Sequence, residues 1–358
     1  MNTYHVIGLM SGTSLDGLDI AYCRFTYENE NWIYNILNAN TLIYEDKWID
    51  SLREAENMGA RELIALDHAF GKFIGEQVQL FVQNNQLQPD FIASHGHTVF
   101  HQPEQHISLQ VGNGAYIAAH AQLPVVCDFR TLDIALGGQG APLVPVGDAL
   151  LFSEYDFCVN LGGIANISFP APEQKRLAYD VCACNMLLNQ LASAAGMPYD
   201  AGGSLARSGS LLPDLLEQLN APAFFKAPYP KSLGKEWVLV HSLATLAACK
   251  ASPADKLHTT CHHIAQQLKS ALKPLHKGIH KVLLTGGGAF NTFLAELIQK
   301  YLGPDYKVEV PAPEVVSFKE ALIFAFLGVL RWRNQANSLS SVTGASTDNV
   351  GGAIYWAK

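Results

Sequence analysis

Val6-Ile-Gly-Leu-Met10, Ser11-Gly12-Thr13-Ser14-Leu15-Asp16-Gly17 and Leu18-Asp19-Ile20-Ala21-Tyr22-Cys23-Arg24-Phe25 follow one another at the start of the chain. Two short apolar runs around a glycine- and hydroxyl-rich turn predict two strands of a hairpin. Successive small residues at such a tip expose N–H groups that form an anion-binding concavity, and the hydroxyls of Ser11, Thr13 and Ser14 add donors. Gly12 lets a ligand approach the backbone closely. The candidate phosphate-binding stretch is therefore Gly12, Thr13, Ser14, Leu15, Asp16, Gly17, Leu18 and Asp19. A carboxylate beside a phosphate calls for a divalent cation between them, and Mg2+ takes one or two carboxylates with phosphate oxygens and water, which makes Asp16 the candidate metal ligand. Taken alone, the segment reads equally well as a plain glycine–serine turn with a capping aspartate.

A chain of 358 residues exceeds the span of one ordinary core, so two domains are expected. Hydrophobic residues make up 49% and charged ones 16%, which excludes the disordered class. A net charge of −8 without a basic cluster speaks against a nucleic-acid partner. No apolar window is long enough for a membrane span and no secretory leader is recognisable, so a cytoplasmic protein without a membrane partner is expected. The seven cysteines are scattered among apolar neighbours and read as reduced thiols; Cys182-x-Cys184 lacks the spacing of a metal or redox pair.

Along the chain, residues 32–44 read as a third strand, broken near Asn38, and 61–84 carry apolar residues at helical spacing. Phe91-Ile-Ala-Ser94 is a short strand ending at His95-Gly96-His97-Thr98, residues 114–121 an Ala-rich helix, and 124–128 another strand. Residues 155–169 then repeat the opening theme, with Gly162-Gly163 between two apolar runs. A unit recurring at this distance predicts two related domains, each offering a glycine hairpin to a shared cleft. Helices are expected over 186–195, 242–272, 292–301 and 319–331, and residues 349–357 are expected to return to the first domain. Lys281-Val-Leu-Leu-Thr285, Gly286-Gly287-Gly288 and a helix beginning after Asn291 form a strand, glycine turn and helix N-terminus, a corner against which a nucleotide can lie. His97 and Thr98 are candidate sugar or phosphate contacts. The planar fork of Arg130 suits a carboxylate or phosphate, or else a structural ion pair. His95, His97 and His101 have metal-like spacing without a carboxylate or cysteine to complete a set.

The three glycine turns in this order resemble the fold of sugar kinases, actin and the Hsp70 ATPase. Nine segments sharpen the resemblance: Gly8-Leu-Met-Ser-Gly-Thr-Ser-Leu-Asp-Gly17, Ser94-His-Gly-His-Thr98, Asp128-Phe-Arg130, Gly137-Gly-Gln-Gly-Ala-Pro142, Asn160-Leu-Gly-Gly-Ile-Ala-Asn-Ile167, Pro230-Lys-Ser232, Thr285-Gly-Gly-Gly288, Lys319-Glu-Ala321 and Val342-Thr-Gly-Ala345. Together they resemble the anhydro-N-acetylmuramic acid kinase family over the whole chain.

The resemblance implies an α/β, two-domain actin/Hsp70/sugar-kinase-like (ribonuclease H-like) fold with its active site in the interdomain cleft. The expected domains are 1–130 plus 340–358, carrying the first phosphate hairpin, and 131–339, carrying the second hairpin and the adenosine corner. Hinges are expected near 131–136 and 339–344. The implied reaction is hydrolytic opening of 1,6-anhydro-N-acetylmuramic acid with phosphorylation of O6 by ATP and Mg2+, in cell-wall recycling. Asp180 stands at the place of the general base, and the family motif brings Glu320 forward as a second catalytic candidate. Gly162, Gly163, Gly286, Gly287, Gly288 and Asn291 would serve ATP, and His97, Thr98, Arg130 and Asn185 the sugar. A homodimer is an open alternative to a monomer. The sequence departs from the family pattern after the base, where Asp180-Val181-Cys182-Ala183-Cys184-Asn185 lacks the usual glycines and proline. His97 stands where glutamine is common and Leu233 where threonine is. A catalytically weakened nucleotide- or sugar-binding paralogue, or a kinase for a related amino sugar, is the alternative these departures allow.

Overall fold

The computed structural model describes residues 2–229 and 231–357. Pro230, quoted above with Lys231 and Ser232, lies outside the described residues. Among the described residues the strands are β1 (Thr3–Ser11), β2 (Leu18–Glu28), β3 (Asn31–Leu42), β4 (Phe91–Gln102), β5 (Ile107–Val111), β6 (Val125–Cys127), β7 (Phe157–Leu161), β8 (Ile164–Pro170), β9 (Arg176–Ala183), β10 (His280–Thr285), β11 (Tyr306–Glu309) and β12 (Ala353–Tyr355). They form two sheets, ordered β12-β6-β4-β1-β2-β3 and β11-β10-β7-β8-β9, with β5 paired to β4 in the first. In the first sheet β2 runs antiparallel to β1 and β3, while β4 is parallel to β1 and β6. In the second, β8 is antiparallel to β7 and β9, and β10 is parallel to β7 and β11. The same core order, third-second-first-fourth-fifth with the second strand reversed, thus occurs twice, as the duplicated glycine hairpin led one to expect. This is the two-domain sugar-kinase-like α/β fold.

The chain divides into two compact units, residues 1–151 with 318–358, and residues 152–317. Those breaks differ from the expected ones at 130/131 and 339/340. Asp133, fully buried, supplies the reason within the first unit: its Oδ1 accepts from Ser338 Oγ (2.6 Å), Thr343 Oγ1 (2.9 Å) and Asn349 Nδ2 (2.8 Å), and its Oδ2 from the Gly140 N–H (2.8 Å). A buried carboxylate needs such donors, so the two segments expected as hinges are tied to each other inside one unit. The second break falls at Phe318, where the helix Pro313–Trp332 leaves helical geometry at φ −114°, ψ 17°.

In the first unit the two faces of β1 are covered by different helices, because alternate side chains point to opposite sides. Ile7 and Leu9 pack with Phe70, Ile74 and Val78 of the helix Ala60–Asn84. On the other face a Cβ on Gly8 would overlap the carbonyl of Ala321, so only glycine lets the helix Pro313–Trp332 lie against the strand there. That helix is buried on all sides from Ala321 to Leu330, Gly328 included, as an apolar-all-round sequence requires. The second unit builds its core from Val159, Leu161, Ile167 and Val282 with Leu257, Cys261, Ile264 and Leu268 of the helix Pro253–Ala271 and Leu294 and Ile298 of the helix Thr292–Leu302.

Several local expectations change. The strand at Phe91 runs through His95–Thr98 to Gln102 instead of ending there, because β5 pairs with its second half. The third strand is continuous, with Leu37 as an extra residue where the break near Asn38 was expected. The single helix over 242–272 is two: a π-helical turn at Leu239–Leu243 leads into Ala244–Ala248, and a new helix starts at Pro253, with Ser252 Oγ accepting from the Asp255 N–H at 3.1 Å. Proline at the first position and serine before it are start signals. The C-terminal return is real, since β12 pairs with β6.

Candidate active site

The first hairpin is long at its tip. Ser11 and Leu18 are the last paired residues, leaving residues 12–17 as the loop, with Leu15 at φ 62° and its N–H bonded to the Gly12 carbonyl at 3.2 Å. Thr13, Ser14 and Asp16 are exposed at this tip. A Cβ on Gly12 would meet only Ser14 Oγ, at 3.6 Å, so the space above it is open. Leu18 is a core residue. Asp19 is half-buried, and its Oδ1 accepts from Thr41 Oγ1 at 2.6 Å. Burial pushes its carboxyl above the usual range, the Thr41 bond opposes this, and Asp16 adds to it.

Glu320 sits beside the Gly8–Ala321 contact. Its side chain keeps solvent-accessible surface. Crowding by surrounding protein nevertheless raises its carboxyl, with Asp19 adding and Arg130 and Lys319 opposing. Lys319 itself is buried, 2.7 Å from the buried Asp148 carboxylate. That ion pair was not foreseen; nothing in the spacing links residues 148 and 319.

The histidines do not make a metal set: among the described residues no three His, Cys, Asp or Glu side chains are placed to share an ion. His95 Nδ1–H donates to the Gly96 carbonyl at 2.9 Å, so its Nε2 is the acceptor for Arg130 Nε (3.1 Å) and Nη2 (2.8 Å). Burial, then the Arg130 charge, hold this imidazole neutral. Arg130 Nη1 donates to the Gly140 carbonyl at 2.6 Å, and burial lowers the guanidinium to about 10. Three N–H groups of Arg130 are therefore engaged within the first unit. His97 is held differently. Tyr44 O–H donates to Ser11 Oγ at 2.7 Å, leaving the Ser11 proton to donate to His97 Nδ1 at 3.0 Å. Burial lowers His97 to about 4, and the neutral ring then carries its proton on Nε2. Thr98, next along β4, accepts weakly from Gln110 Nε2 at 3.4 Å.

In the second unit the hairpin tip is only Gly162-Gly163, between Leu161 and Ile164. Its carbonyls accept from the N–H groups of Cys184 (2.8 Å), Asn185 (3.0 Å) and Met186 (3.2 Å), where the helix Asn185–Ser193 begins. Asn185 Nδ2 donates to the Leu161 carbonyl at 2.8 Å. Gly286, at φ 77°, and Gly288 lie so close to Leu161 that side chains would collide with it. Gly162, Gly163, Gly286, Gly287, Gly288 and Asn185 thus share one corner. Asn291 caps the helix behind it, its Oδ1 accepting from the Leu294 N–H at 2.9 Å.

Asp180 lies on β9, a strand not anticipated. Val181 is an extra residue there: Asn166 pairs with Asp180 and Ala165 with Cys182. A bulge re-aims the neighbouring side chain. Val181, Cys182 and Ala183 turn into the core, while Asp180 stays half-buried. Its N–H donates to the Lys231 carbonyl at 3.1 Å, and its Oδ2 accepts from the Leu233 N–H at 2.9 Å and Ser232 Oγ at 3.3 Å. Burial raises the carboxyl, and those two donors partly restore it. The glycine-free stretch needs no left-handed residue: Cys184 is at φ −128° and none of residues 181–184 is in the left-handed region. The thiols of Cys182 and Cys184 are buried, and burial raises both.

With that geometry in hand, residues 4–357 match the sequence model of the family described as AnmK: Anhydro-N-acetylmuramic acid kinase. The chain belongs to the anhydro-N-acetylmuramic acid kinase family. It is 34% identical over 365 residues to the anhydro-N-acetylmuramic acid kinase of Actinobacillus pleuropneumoniae serotype 5b (strain L20), covering 98% of each chain. It is 32% identical over 374 residues to that of Francisella tularensis subsp. novicida (strain U112), again over 98% of each. With that of Shewanella putrefaciens (strain CN-32) identity is 34% over 381 residues, covering 100% of each. Membership of the anhydro-N-acetylmuramic acid kinase family makes the chain a phosphotransferase that uses ATP. No helix among the described residues is long and apolar enough to cross a membrane.

Proposed function

We propose that this chain opens 1,6-anhydro-N-acetylmuramic acid with water and phosphorylates the released O6 from ATP, giving N-acetylmuramic acid 6-phosphate in peptidoglycan recycling. The observation that carries the reading is the family match over residues 4–357, and its chemistry is supported by Asp180, a half-buried carboxylate anchored through one oxygen. The water oxygen bonds to C1 and gives one proton to Asp180, keeping the other as the new hydroxyl. The C1–O6 bond breaks, its electron pair staying on O6 as C1 passes through oxocarbenium character. O6 then bonds to the γ-phosphorus while the bond to the bridging oxygen breaks and ADP leaves. Burial makes Asp180 a stronger base than an exposed aspartate, which suits this task.

The first unit is assigned the phosphates, through the N–H groups of residues 12–16 and the Thr13 and Ser14 hydroxyls. The second is assigned the nucleoside, against Gly162, Gly163 and Gly286–Gly288, with Asn291 fixing the helix behind. His97 Nε2–H, Thr98, Arg130 and Asn185 are assigned to the sugar, and Glu320, beside Arg130, to the first unit's share of the reacting centre. The donor set at the first tip fits Mg2+: Asp16 is exposed there and Asp19 stands near it, and one or two carboxylates are what Mg2+ takes beside phosphate oxygens. Mg2+ bound there would neutralise charge on the transferring phosphoryl group. The cytoplasm, which keeps thiols such as these seven cysteines reduced, is the compartment we assign.

ADP release is measured with the 1,6-anhydro sugar, with N-acetylmuramic acid, with N-acetylglucosamine and with no sugar, in 18O-labelled water. Rapid release with the anhydro sugar alone and label on C1 of the product are expected. Equal release without sugar, preference for N-acetylglucosamine or absence of label would overturn the reading.

A further inference from the structure

Residues 231–233 grip β9 at three points: the Lys231 carbonyl takes the Asp180 N–H (3.1 Å), and the Leu233 N–H (2.9 Å) and Ser232 hydroxyl (3.3 Å) both reach Asp180 Oδ2. Among the described residues no hydrogen bond reaches Oδ1. The grip is asymmetric: next to the bulge at Val181, Asp180 stays paired with Asn166, and the segment occupies only one of its two carboxylate oxygens. A carboxylate held through one oxygen cannot rotate, so the other oxygen has one direction in which to accept a proton. Leu233 is buried and anchors the segment, whereas the Ser232 side chain is exposed, so its hydroxyl has no packing role to explain it.

We propose that Ser232 is a positioning residue for ring opening: with the Leu233 N–H it pins Oδ2 of Asp180 and leaves Oδ1 to take the proton of the attacking water. This rests on Asp180 being the general base. It divides the carboxylate into an anchored and a working oxygen, and it gives the serine a role separate from binding. The titratable neighbours are few. Lys231, on the same segment, donates its ammonium to the Phe224 carbonyl at 3.0 Å. Cys182, two residues along β9, is a buried thiol on which Asp180 and Lys231 act in opposite directions. Tyr179 precedes Asp180 and stacks on Tyr229 at 5.3 Å. The helix Pro253–Ala271 packs on β9 and carries Asp255, Lys256, His258, His262, His263 and Lys269, none of which acts on the Asp180 carboxyl.

The test uses the full chain with Ser232→Ala, Ser232→Thr and Asp180→Asn, measuring kcat against pH with ATP and the anhydro sugar, and sugar affinity separately. Ser232→Ala is expected to lower kcat about ten- to a hundredfold with little change in sugar affinity, the weight of one hydrogen bond to a charged group. Because the serine donor holds the carboxyl down, its loss moves the acid limb of the kcat profile to higher pH. Ser232→Thr, which keeps the hydroxyl, is expected to restore both. A wild-type kcat and acid limb in Ser232→Ala, with Asp180→Asn inactive, would overturn the role of Ser232 alone. An active Asp180→Asn would instead remove the base assignment beneath it. The substitution is at an exposed side chain, and an unchanged thermal midpoint separates a positioning loss from a folding one.

Discussion

The two units share one strand order, yet their first hairpins end differently. Six residues, 12–17, cross between β1 and β2, whereas two, Gly162 and Gly163, cross between β7 and β8. The longer tip leaves hydroxyls and a carboxylate facing outward with open space over Gly12. The shorter one is closed by its surroundings: its carbonyls accept from the start of the helix Asn185–Ser193, and Gly286 and Gly288 press on the strand beside it. A duplicated scaffold thus offers one tip built of side-chain donors and another built of backbone. The third strands diverge as well. β3 is twelve residues long with no charged side chain, while β9 is eight long and bulges next to Asp180.

The hardest test of that contrast is at the bulged strand. Asp180→Asn keeps the size of the side chain and is expected to lower turnover about 100- to 10,000-fold, with ATP and sugar affinities nearly intact by calorimetry. Near wild-type turnover would shift the base elsewhere, with Glu320 the next candidate.

The two tips are separated by paired glycine substitutions. Gly12→Val meets no backbone and should leave thermal stability within about 0.5 kcal/mol while weakening ATP binding. Gly286→Val must force φ 77° on a branched residue and collide with Leu161, so it is expected to lose about 2 kcal/mol or more of stability. Equal effects in thermal melts and nucleotide titrations would erase the distinction between an open and a closed tip.

A smaller effect is expected at His97. Leucine there leaves the Ser11 proton without an acceptor in a buried setting and should cost about 1–3 kcal/mol. His97→Gln supplies an acceptor and a donor in similar places and should recover most of that in denaturant titrations. If leucine and glutamine behave alike, the hydroxyl chain contributes nothing to stability.

What the sequence made legible was local. Glycines between short apolar runs, a strand before Gly286-Gly287-Gly288 and the spacing of 61–84 each announce themselves within a few residues, and all are present. Ser252-Pro253 with Asp255 also carried a helix start in plain sight, although the apolar spacing across 242–272 masked it. What stayed hidden joins distant residues: Asp180 with 231–233, Lys319 with Asp148, Tyr44 with Ser11 and His97. No period or motif encodes such pairs, because they exist only once strands and segments have been brought together. Arg130 shows the same limit. Three of its N–H groups go to His95 and Gly140, partners that its place in the sequence does not name.

The first unit is discontinuous, residues 1–151 and 318–358 enclosing residues 152–317. Its buried helix from Ala321 to Leu330 and the donors to Asp133 at Ser338, Thr343 and Asn349 all come from residues 318–358, whereas the second unit, 152–317, is continuous. During synthesis the first sheet therefore waits, with Gly8 uncovered and a buried aspartate short of partners, until residues 318–358 have emerged, while residues 152–317 have all they need to fold sooner. A nascent chain stalled once residues up to Ser317 have emerged from the ribosome is expected to give a protease-resistant fragment from 152–317 and a digestible N-terminal part; resistance of both would contradict this order. The half that is translated first is the half that is finished last.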